Sequence, residues 1–491
     1  MLPTKTVGSI YANQTLEVSC VMERTDLLIV GSGPGGYVAA LRGAQLGANV
    51  LMVEKKKLGG TCLNWGCIPT KTLHQSAELY AEIKKGDAFG LDIGEASVNY
   101  QKVHERKNKV IGELTSSIEK LLKKSKIKTV YGVCHLKPDK QAEIHLHDGS
   151  KMEVEAKSII IATGSEPLLP EIPGMDHPDV IGTDELLDLK EQVKDLVVIG
   201  GGVTGVELAG IMANFGTNVT LIKRTPYMSP IDNDIAKRLF TILKRSGINV
   251  LTKSQVKEIV HPDDGHRLTV RVEVKGKLEE IPADKVLLSR GRQPHYDGID
   301  ALDLEIGKDG IEVNDKMETN LPGVYAIGDV ASKGAMLAHV ASHQGIIAAE
   351  NAMGHDSSYD DRAVPNCVFT VTELASVGEN EDSLKEQNIA YQVGKFPFGA
   401  NGKALAANKI DGQVKILSHQ ETGEVLGVHI MGPHASDLIQ EGTVAVQKRL
   451  TVKDLVDLIH PHPTLSETLW EAALDAAGMP IHQLPKKQKK D

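Results

Sequence analysis

Short apolar runs punctuated by glycine recur along the chain, and in two places they repeat the same plan. Asp26 to Val30 (DLLIV) is followed by Gly31-Ser-Gly33-Pro-Gly-Gly36, a stretch with helical spacing, and a second strand-like run ending at Val53-Glu54. Leu196 to Ile199 is followed by Gly200-Gly-Gly202-Val-Thr-Gly205, another helical stretch, and a strand ending at Ile222-Lys223. Apolar runs of this length bounded by turn signals predict buried strands. A lone G-x-G-x-x-G is weak evidence, but here each copy follows a strand and opens a helix, the context in which the motif binds a dinucleotide. Such glycines bring the backbone close to a pyrophosphate, and the helix N-terminus offers free N–H groups and positive potential. A glycine-rich turn without a ligand is the plainer alternative, and the matched context disfavours it twice over.

Elsewhere the pattern is less regular. Lys102 to Lys128 is a charged amphipathic helical stretch, and Ile159-Ile-Ile-Ala-Thr163-Gly164 reads as a strand entering a tight turn. Leu268 to Val274 and Lys285 to Leu288 read as strands. From about Asp360 short alternating strands and two helices predict a third, α+β domain. The Lys-rich tail after Leu484 is expected to be solvated and mobile. The fold class expected is α/β, with two Rossmann-like dinucleotide-binding domains and a C-terminal α+β domain.

Composition agrees with this reading. A chain of 491 residues leaves room for about three domains at roughly 150 residues each. The net charge of −10 is spread along the chain, which argues against a nucleic-acid binder. Without an apolar run long enough to cross a bilayer, or a secretory-type leader, a cytoplasmic location is expected. Met22 stands just before the first strand and is a plausible alternative start. Five cysteines, an odd and low count, fit a reducing compartment, where a close pair is more often catalytic than structural.

That pair lies in Leu58-Gly-Gly60-Thr61-Cys62-Leu-Asn64-Trp-Gly66-Cys67-Ile-Pro69-Thr-Lys71. Asn64 and Gly66 permit the intervening chain to loop back, and Pro69 favours the first turn of a helix running through Tyr80. Cys67 is then near a helix N-terminus, where its thiolate is stabilised. A structural pair or half of a metal site is the alternative. No second close Cys or Cys/His pair completes a zinc set, so no metal is expected. Near the C-terminus, His460-Pro-His462-Pro-Thr-Leu-Ser-Glu467 sets a histidine and a carboxylate in a proline-stiffened loop, which can make an oriented base. A dithiol attacks only as thiolate, so such chemistry needs a proton acceptor.

With these motifs in this order from about Met22 onward, the chain resembles the pyridine nucleotide-disulphide oxidoreductases of class I, and GGTCLNWGCIPTK with HPTLSE is similar to their dihydrolipoamide dehydrogenase branch. The resemblance implies an FAD-dependent homodimer that oxidises dihydrolipoamide on a separate lipoylated carrier, of a 2-oxo-acid dehydrogenase complex or the glycine cleavage system, and reduces NAD. It implies that Cys62 exchanges with substrate while Cys67 is the thiolate beside the flavin. Lys71, paired with Glu207, is implied to lie near the flavin, the alternative for Glu207 being only a helix-start acid. His462, oriented by Glu467, acts as base in the other subunit's site, with His460 as support. FAD contacts are expected from Gly31, Gly33, Gly36, Glu54, Gly60, Thr61, Lys71, Gly132, Thr163, Gly164, Asp329, Ala338 and His339. The nicotinamide contacts are Gly200, Gly202, Gly205, Lys223, Arg224, Val256 and Gly291. The expected division is an extension (1–22), an FAD-binding domain (23–155 and 280–355), an NAD(P)-binding domain (156–279), a dimerisation domain (356–484) and a flexible tail (485–491).

Two positions depart from that branch. Lys223 stands where its members carry an acid for the NAD ribose, and a basic residue there suits the 2′-phosphate of NADP; Arg224, next to it, falls where glutathione reductases place one of two phosphate-binding arginines. Pro230 occupies the place of a second phosphate-binding arginine, and Lys223 can also be a solvated strand-end lysine. Arg290 replaces a usually apolar residue. An NADPH-dependent reductase of the glutathione reductase type therefore remains as an alternative, as does a non-catalytic flavoprotein scaffold. Cys20, Cys134 and Cys367 carry no pairing signal.

Overall fold

The computed structural model describes residues 22–226, 228, 231–261 and 267–484. Nearly all of the N-terminal extension with Cys20, together with Pro230 and the tail from 485, lies outside the described residues. The chain begins with β1 (Glu23–Val30), α1 (Pro34–Gln45), β2 (Val50–Glu54), α2 (Gly60–Asn64), α3 (Cys67–Ile83), α4 (Tyr100–Lys124), β3 (Lys128–Lys137), β4 (Gln141–Leu146) and β5 (Lys151–Ile161). The short β6 (Ser165–Pro167) leads to β7 (Val180–Ile181), α5 (Thr183–Leu187), β8 (Asp195–Ile199), α6 (Val203–Asn214), β9 (Asn218–Lys223), α7 (Asn233–Arg245) and β10 (Asn249–Thr252). Then come β11 (Ser254–Val260), β12 (Leu268–Val274), β13 (Lys277–Ala283), β14 (Lys285–Leu288), β15 (Arg292–Pro294), β16 (Val324–Ala326) and α8 (Ala338–Ala352). The C-terminal part holds β17 (Asn366–Val368), β18 (Leu374–Gly378), α9 (Glu381–Glu386), β19 (Tyr391–Pro397), α10 (Gly402–Ala406), β20 (Gln413–His419) and β21 (Val425–Met431). It ends with α11 (Ala435–Gln447), α12 (Val452–Val456) and α13 (Glu467–Ala476).

In the first sheet, β3, β2, β1, β5 and β16 run parallel in that order. β4 lies antiparallel between residues 132–137 of β3 and 151–155 of β5. A second, wholly parallel sheet has the order β10, β9, β8, β14, β7. β11 to β13 form an antiparallel sheet beside it, and β6 pairs with β15 between the two units. The C-terminal sheet is antiparallel, ordered β17, β18, β21, β20, β19. Leu27–Val30 and Leu196–Ile199 are buried on both faces of their sheets, which is why they read as unbroken apolar runs rather than alternating ones. The α/β class with two Rossmann-like units and an α+β unit is as expected.

Three details differ from the sequence reading. The boundary at residue 156 falls inside β5, whose second half pairs with β1 and β16. The boundary at 280 would give β14 to the first unit, yet β14 pairs with β8. The C-terminal unit carries α9, α10 and α12 besides the longer α11 and α13, because helices of five or six residues are too short to show an apolar period.

Buried charge fastens the second unit to the C-terminal one. Lys415 of β20 is wholly buried, with Nζ 2.9 and 2.8 Å from the carboxylate of Asp232, and it also bonds Glu381. Asp232 caps α7 through the Asp234 N–H at 3.0 Å. Asp232, Asp234 and Glu381 have a spacing that can hold a metal among the described residues, but the Lys415 ammonium already sits among these carboxylates.

Candidate active site

Gly66 precedes α3, so Cys67 is its first helical residue and lies at the positive end of a 17-residue helix. Asn64 Nδ2 donates to the carbonyls of Leu58 and Gly60 at 3.0 and 2.9 Å and folds the intervening turn back. At Gly66 a Cβ would press to 3.0 Å from the Thr61 carbonyl oxygen. The thiols of Cys62 and Cys67 thereby come within hydrogen-bond reach, unbonded and partly buried. The bond from Cys62 stabilises a Cys67 thiolate; with the Lys71 ammonium it outweighs burial and the opposing Glu207 charge, and brings the Cys67 pKa down to about 7. The same bond, with burial, pushes Cys62 up. The pair is thus electronically asymmetric.

Lys71, one turn further along α3, reaches across to α6. Its Nζ lies 3.1 and 2.9 Å from the two oxygens of Glu207, which is 4% exposed. The Phe369 N–H, from just beyond β17, donates to Glu207 Oε1 at 2.9 Å, and the Phe369 ring lies 4.4 Å from the Lys71 ammonium. His74 of α3 bonds the Thr370 carbonyl at 3.2 Å. Glu207 is therefore a satisfied buried carboxylate joining all three units rather than only a dipole-complementing acid. No local motif marks Phe369, because its partner is 162 residues away in sequence.

The first glycine loop is tightly built. Gly31 has φ +104°, and a Cβ there would lie 2.3 Å from the Ala162 oxygen; one at Gly36 would lie 2.0 Å from the Gly31 oxygen. Gly33, at the start of α1, faces open space, and no side chain caps that helix. Gly60 abuts the Gly33 Cα, and Thr61 is exposed beside it. The buried Glu54 closes β2 and accepts from Ser32 N and Oγ at 3.0 and 2.5 Å and from Lys56 N at 2.6 Å. Gly132 follows Tyr131, which pairs with Glu54 in the sheet. Thr163 Oγ1 donates to the His295 carbonyl at 2.7 Å, and Gly164 adopts φ +75°. Asp329, after β16, accepts from Ser165 Oγ at 2.6 Å, and Arg292 Nε donates to that hydroxyl at 2.7 Å. Ala338 opens α8, and His339 Nε2 lies 2.9 Å from the Pro365 carbonyl oxygen.

The second loop repeats the design. Gly200 has φ +124°, a Cβ there would lie 1.8 Å from the Ser289 oxygen, and one at Gly205 would lie 1.9 Å from the Gly200 oxygen. Gly202 faces open space before the uncapped α6. Lys223 is not the solvated lysine its strand-end position allowed: it is 9% exposed, and its Nζ donates to the Gly201 carbonyl at 2.8 Å. Arg224, Arg290 and Gly291 are exposed, and Val256 of β11 packs on the core that includes Ile199 and Ile222.

At the C-terminal loop, His462 Nδ1 lies 2.8 Å from Glu467 Oε1, and the Thr464 N–H donates to Glu467 Oε2 at 2.8 Å. The His462 side chain is 79% exposed. Burial alone would raise the Glu467 pKa, but the Thr464 N–H and His462 hold it below the usual range. His460 is buried against Glu441 at 3.0 Å, which raises its pKa. His462 and Glu467 sit on the C-terminal unit, where α13 packs on β19 and β20, whereas Cys67's helix packs on α4 and α6.

Residues 25–345 match the sequence profile of the pyridine nucleotide-disulphide oxidoreductases, and residues 364–473 match the dimerisation domain of the same family. The chain belongs to this oxidoreductase family. A dihydrolipoyl dehydrogenase of Bacillus subtilis is 39% identical over 471 residues, covering 93% of this chain and 99% of that one. A mitochondrial dihydrolipoyl dehydrogenase of Pisum sativum is 38% identical, covering 98% and 97%. Among solved structures, LpdA of Mycobacterium tuberculosis superposes with a TM-score of 0.84 at 27% identity, covering 92% of this chain and 99% of that one. The Cu(II) complex of the flavoprotein disulfide reductase RclA of Escherichia coli gives 0.81 at 27%, with the same coverage. In this oxidoreductase no described helix is long and apolar enough to cross a membrane.

Proposed function

We propose that this oxidoreductase is a homodimeric, cytoplasmic, FAD-dependent dihydrolipoamide dehydrogenase. It oxidises the dihydrolipoyl group of a lipoylated carrier, of a 2-oxo-acid dehydrogenase complex or the glycine cleavage system, and reduces a nicotinamide dinucleotide. The observation that carries this reading is the asymmetric thiol pair at the start of α3, linked by Lys71 and Glu207 to the second glycine loop. The first loop fits FAD. Its glycines leave no space for a Cβ at Gly31 and Gly36 but open space at Gly33, where a pyrophosphate would meet the uncapped α1. Glu54 and Asp329 would hold its sugar hydroxyls. When bound, FAD supplies the two-electron relay between the Cys67 thiolate and the nicotinamide. The units we assign are 23–161 with β16 and α8 for FAD, β7 to β14 for the nicotinamide nucleotide, and 356–484 for dimerisation.

The protein's own groups carry the thiol chemistry. His462 of the second protomer takes the proton of one substrate thiol, its Nδ1–H held by Glu467. The resulting thiolate attacks Cys62 Sγ of the oxidised pair, the Cys62–Cys67 bond breaks, and its electron pair remains on Cys67 Sγ. A pKa of about 7 makes Cys67 a good leaving group. The second substrate thiol, deprotonated in turn, attacks the substrate sulphur joined to Cys62. This closes the substrate disulphide and releases Cys62, which is reprotonated. Steady-state oxidation of dihydrolipoamide with NAD tests the scheme: the native protein turns over and Cys67→Ser does not. A Cys67→Ser variant with full turnover overturns it.

A further inference from the structure

The two glycine-loop units end their second strands on opposite charges. Glu54 closes β2 and Lys223 closes β9. A carboxylate there accepts from ribose hydroxyls and repels a 2′-phosphate, whereas a cation attracts one. Three observations make Lys223 more than a substituted surface residue. Its side chain is buried to 9% exposure, and its Nζ bonds a neutral carbonyl of the glycine loop itself, Gly201, at 2.8 Å. An ammonium has three donors, so this leaves two for a ligand. A buried cation needs a counter-charge, and no carboxylate pairs with Lys223 among the described residues; its other close neighbour is the Phe240 ring at 5.9 Å. The loop is also shaped to the lysine: a Cβ at Gly201 would lie 2.6 Å from Lys223 Cδ. Burial lowers the Lys223 pKa, a cost that an adjacent phosphate dianion would offset. The exposed Arg224 follows directly, and the exposed Arg290 adjoins Gly200, its N lying 3.4 Å from where a Cβ of Gly200 would be.

We infer that the second nucleotide site accepts a dinucleotide carrying a 2′-phosphate, NADP(H), as well as NAD(H), with Lys223 and Arg224 as the residues that set this specificity. The inference rests on the reading of the second glycine loop as the nicotinamide nucleotide site. Calorimetric titration of the full-length holoprotein with adenosine 2′,5′-bisphosphate and with 5′-AMP tests it directly. The bisphosphate is expected to bind about tenfold or more tightly than 5′-AMP, with an affinity that falls as salt rises. Lys223→Glu should abolish that preference. Arg224→Gln, at an exposed position that does not threaten folding, should weaken the bisphosphate several-fold and leave 5′-AMP unchanged. In steady state, NADP should support dihydrolipoamide oxidation, and Lys223→Glu should shift the NADP-to-NAD ratio of kcat/KM toward NAD. If 5′-AMP binds and the bisphosphate binds no better, the inference is overturned while the functional reading survives. If neither binds, both fall.

Discussion

Replacing Lys71 by Met separates the electrostatic origin of the Cys67 thiolate from its place on the helix. Cys67 and Lys71 are four residues apart on α3, so their side chains share a face, with Cβ atoms roughly 5–6 Å apart. At about 6 Å and an effective dielectric near 20, a unit charge contributes roughly 2.8 kcal/mol, or about two pKa units. The Lys71 side chain is 33% exposed, so solvent screening trims this to about one to two units. The Cys67 midpoint, about 7 in the native protein, should therefore rise toward roughly 8 to 9 in Lys71→Met. Glu207 acts with the opposite sign, so Glu207→Gln should lower the midpoint, and Lys71→Arg should keep it near the native value. The assay is the pH dependence of iodoacetamide labelling of Cys67 in reduced holoprotein, read by peptide mass spectrometry. A Lys71→Met midpoint within about half a unit of native, or a Glu207→Gln shift in the same direction, would refute the reasoning.

Three further outcomes are expected. Lys415→Met leaves the buried Asp232 without its cation and should cost about 3–5 kcal/mol in chemical denaturation, and adding Asp232→Asn should recover part of the loss. Glu467→Gln should lower kcat for dithiol oxidation by roughly 10- to 100-fold with little change in KM for the dithiol, less than the 10²–10⁴ of a general base itself; partial rescue by Glu467→Asp marks an orienting role. The His460 pKa is raised by Glu441, so this pair stabilises the fold fully below the unfolded histidine value of about 6.5 and progressively less as pH rises through the higher folded value. The thermal midpoint difference between native protein and Glu441→Gln should thus be largest near pH 5.5 and shrink by about pH 8.5.

The parts of the site written in local chemistry were legible. The glycine loops, the CxxxxC segment and the HPTLSE loop each confine their meaning to a dozen neighbouring residues, and turn chemistry and helix-start signals place them. Strands such as Leu268–Val274 and Lys285–Leu288 appeared at the expected bounds because burial writes itself into apolar runs. What stayed hidden depends on contacts between distant segments. Phe369 looks like any core aromatic until its N–H meets Glu207, and Lys415 reads as an exposed strand lysine until three acids from α9 and the start of α7 surround it. The domain limits were missed for the same reason: β14 joins the second sheet by pairing with β8, a register that no local pattern announces.

The charge clusters around Lys415 and around Glu207 both clasp the nicotinamide-side unit to the C-terminal one, the first at the N-cap of α7 and the second in the first half of α6. Swinging these units apart would part the buried Lys415 from Asp232 and the buried Glu207 from the Phe369 N–H, and breaking a buried pair costs several kcal/mol. They consequently travel as one body.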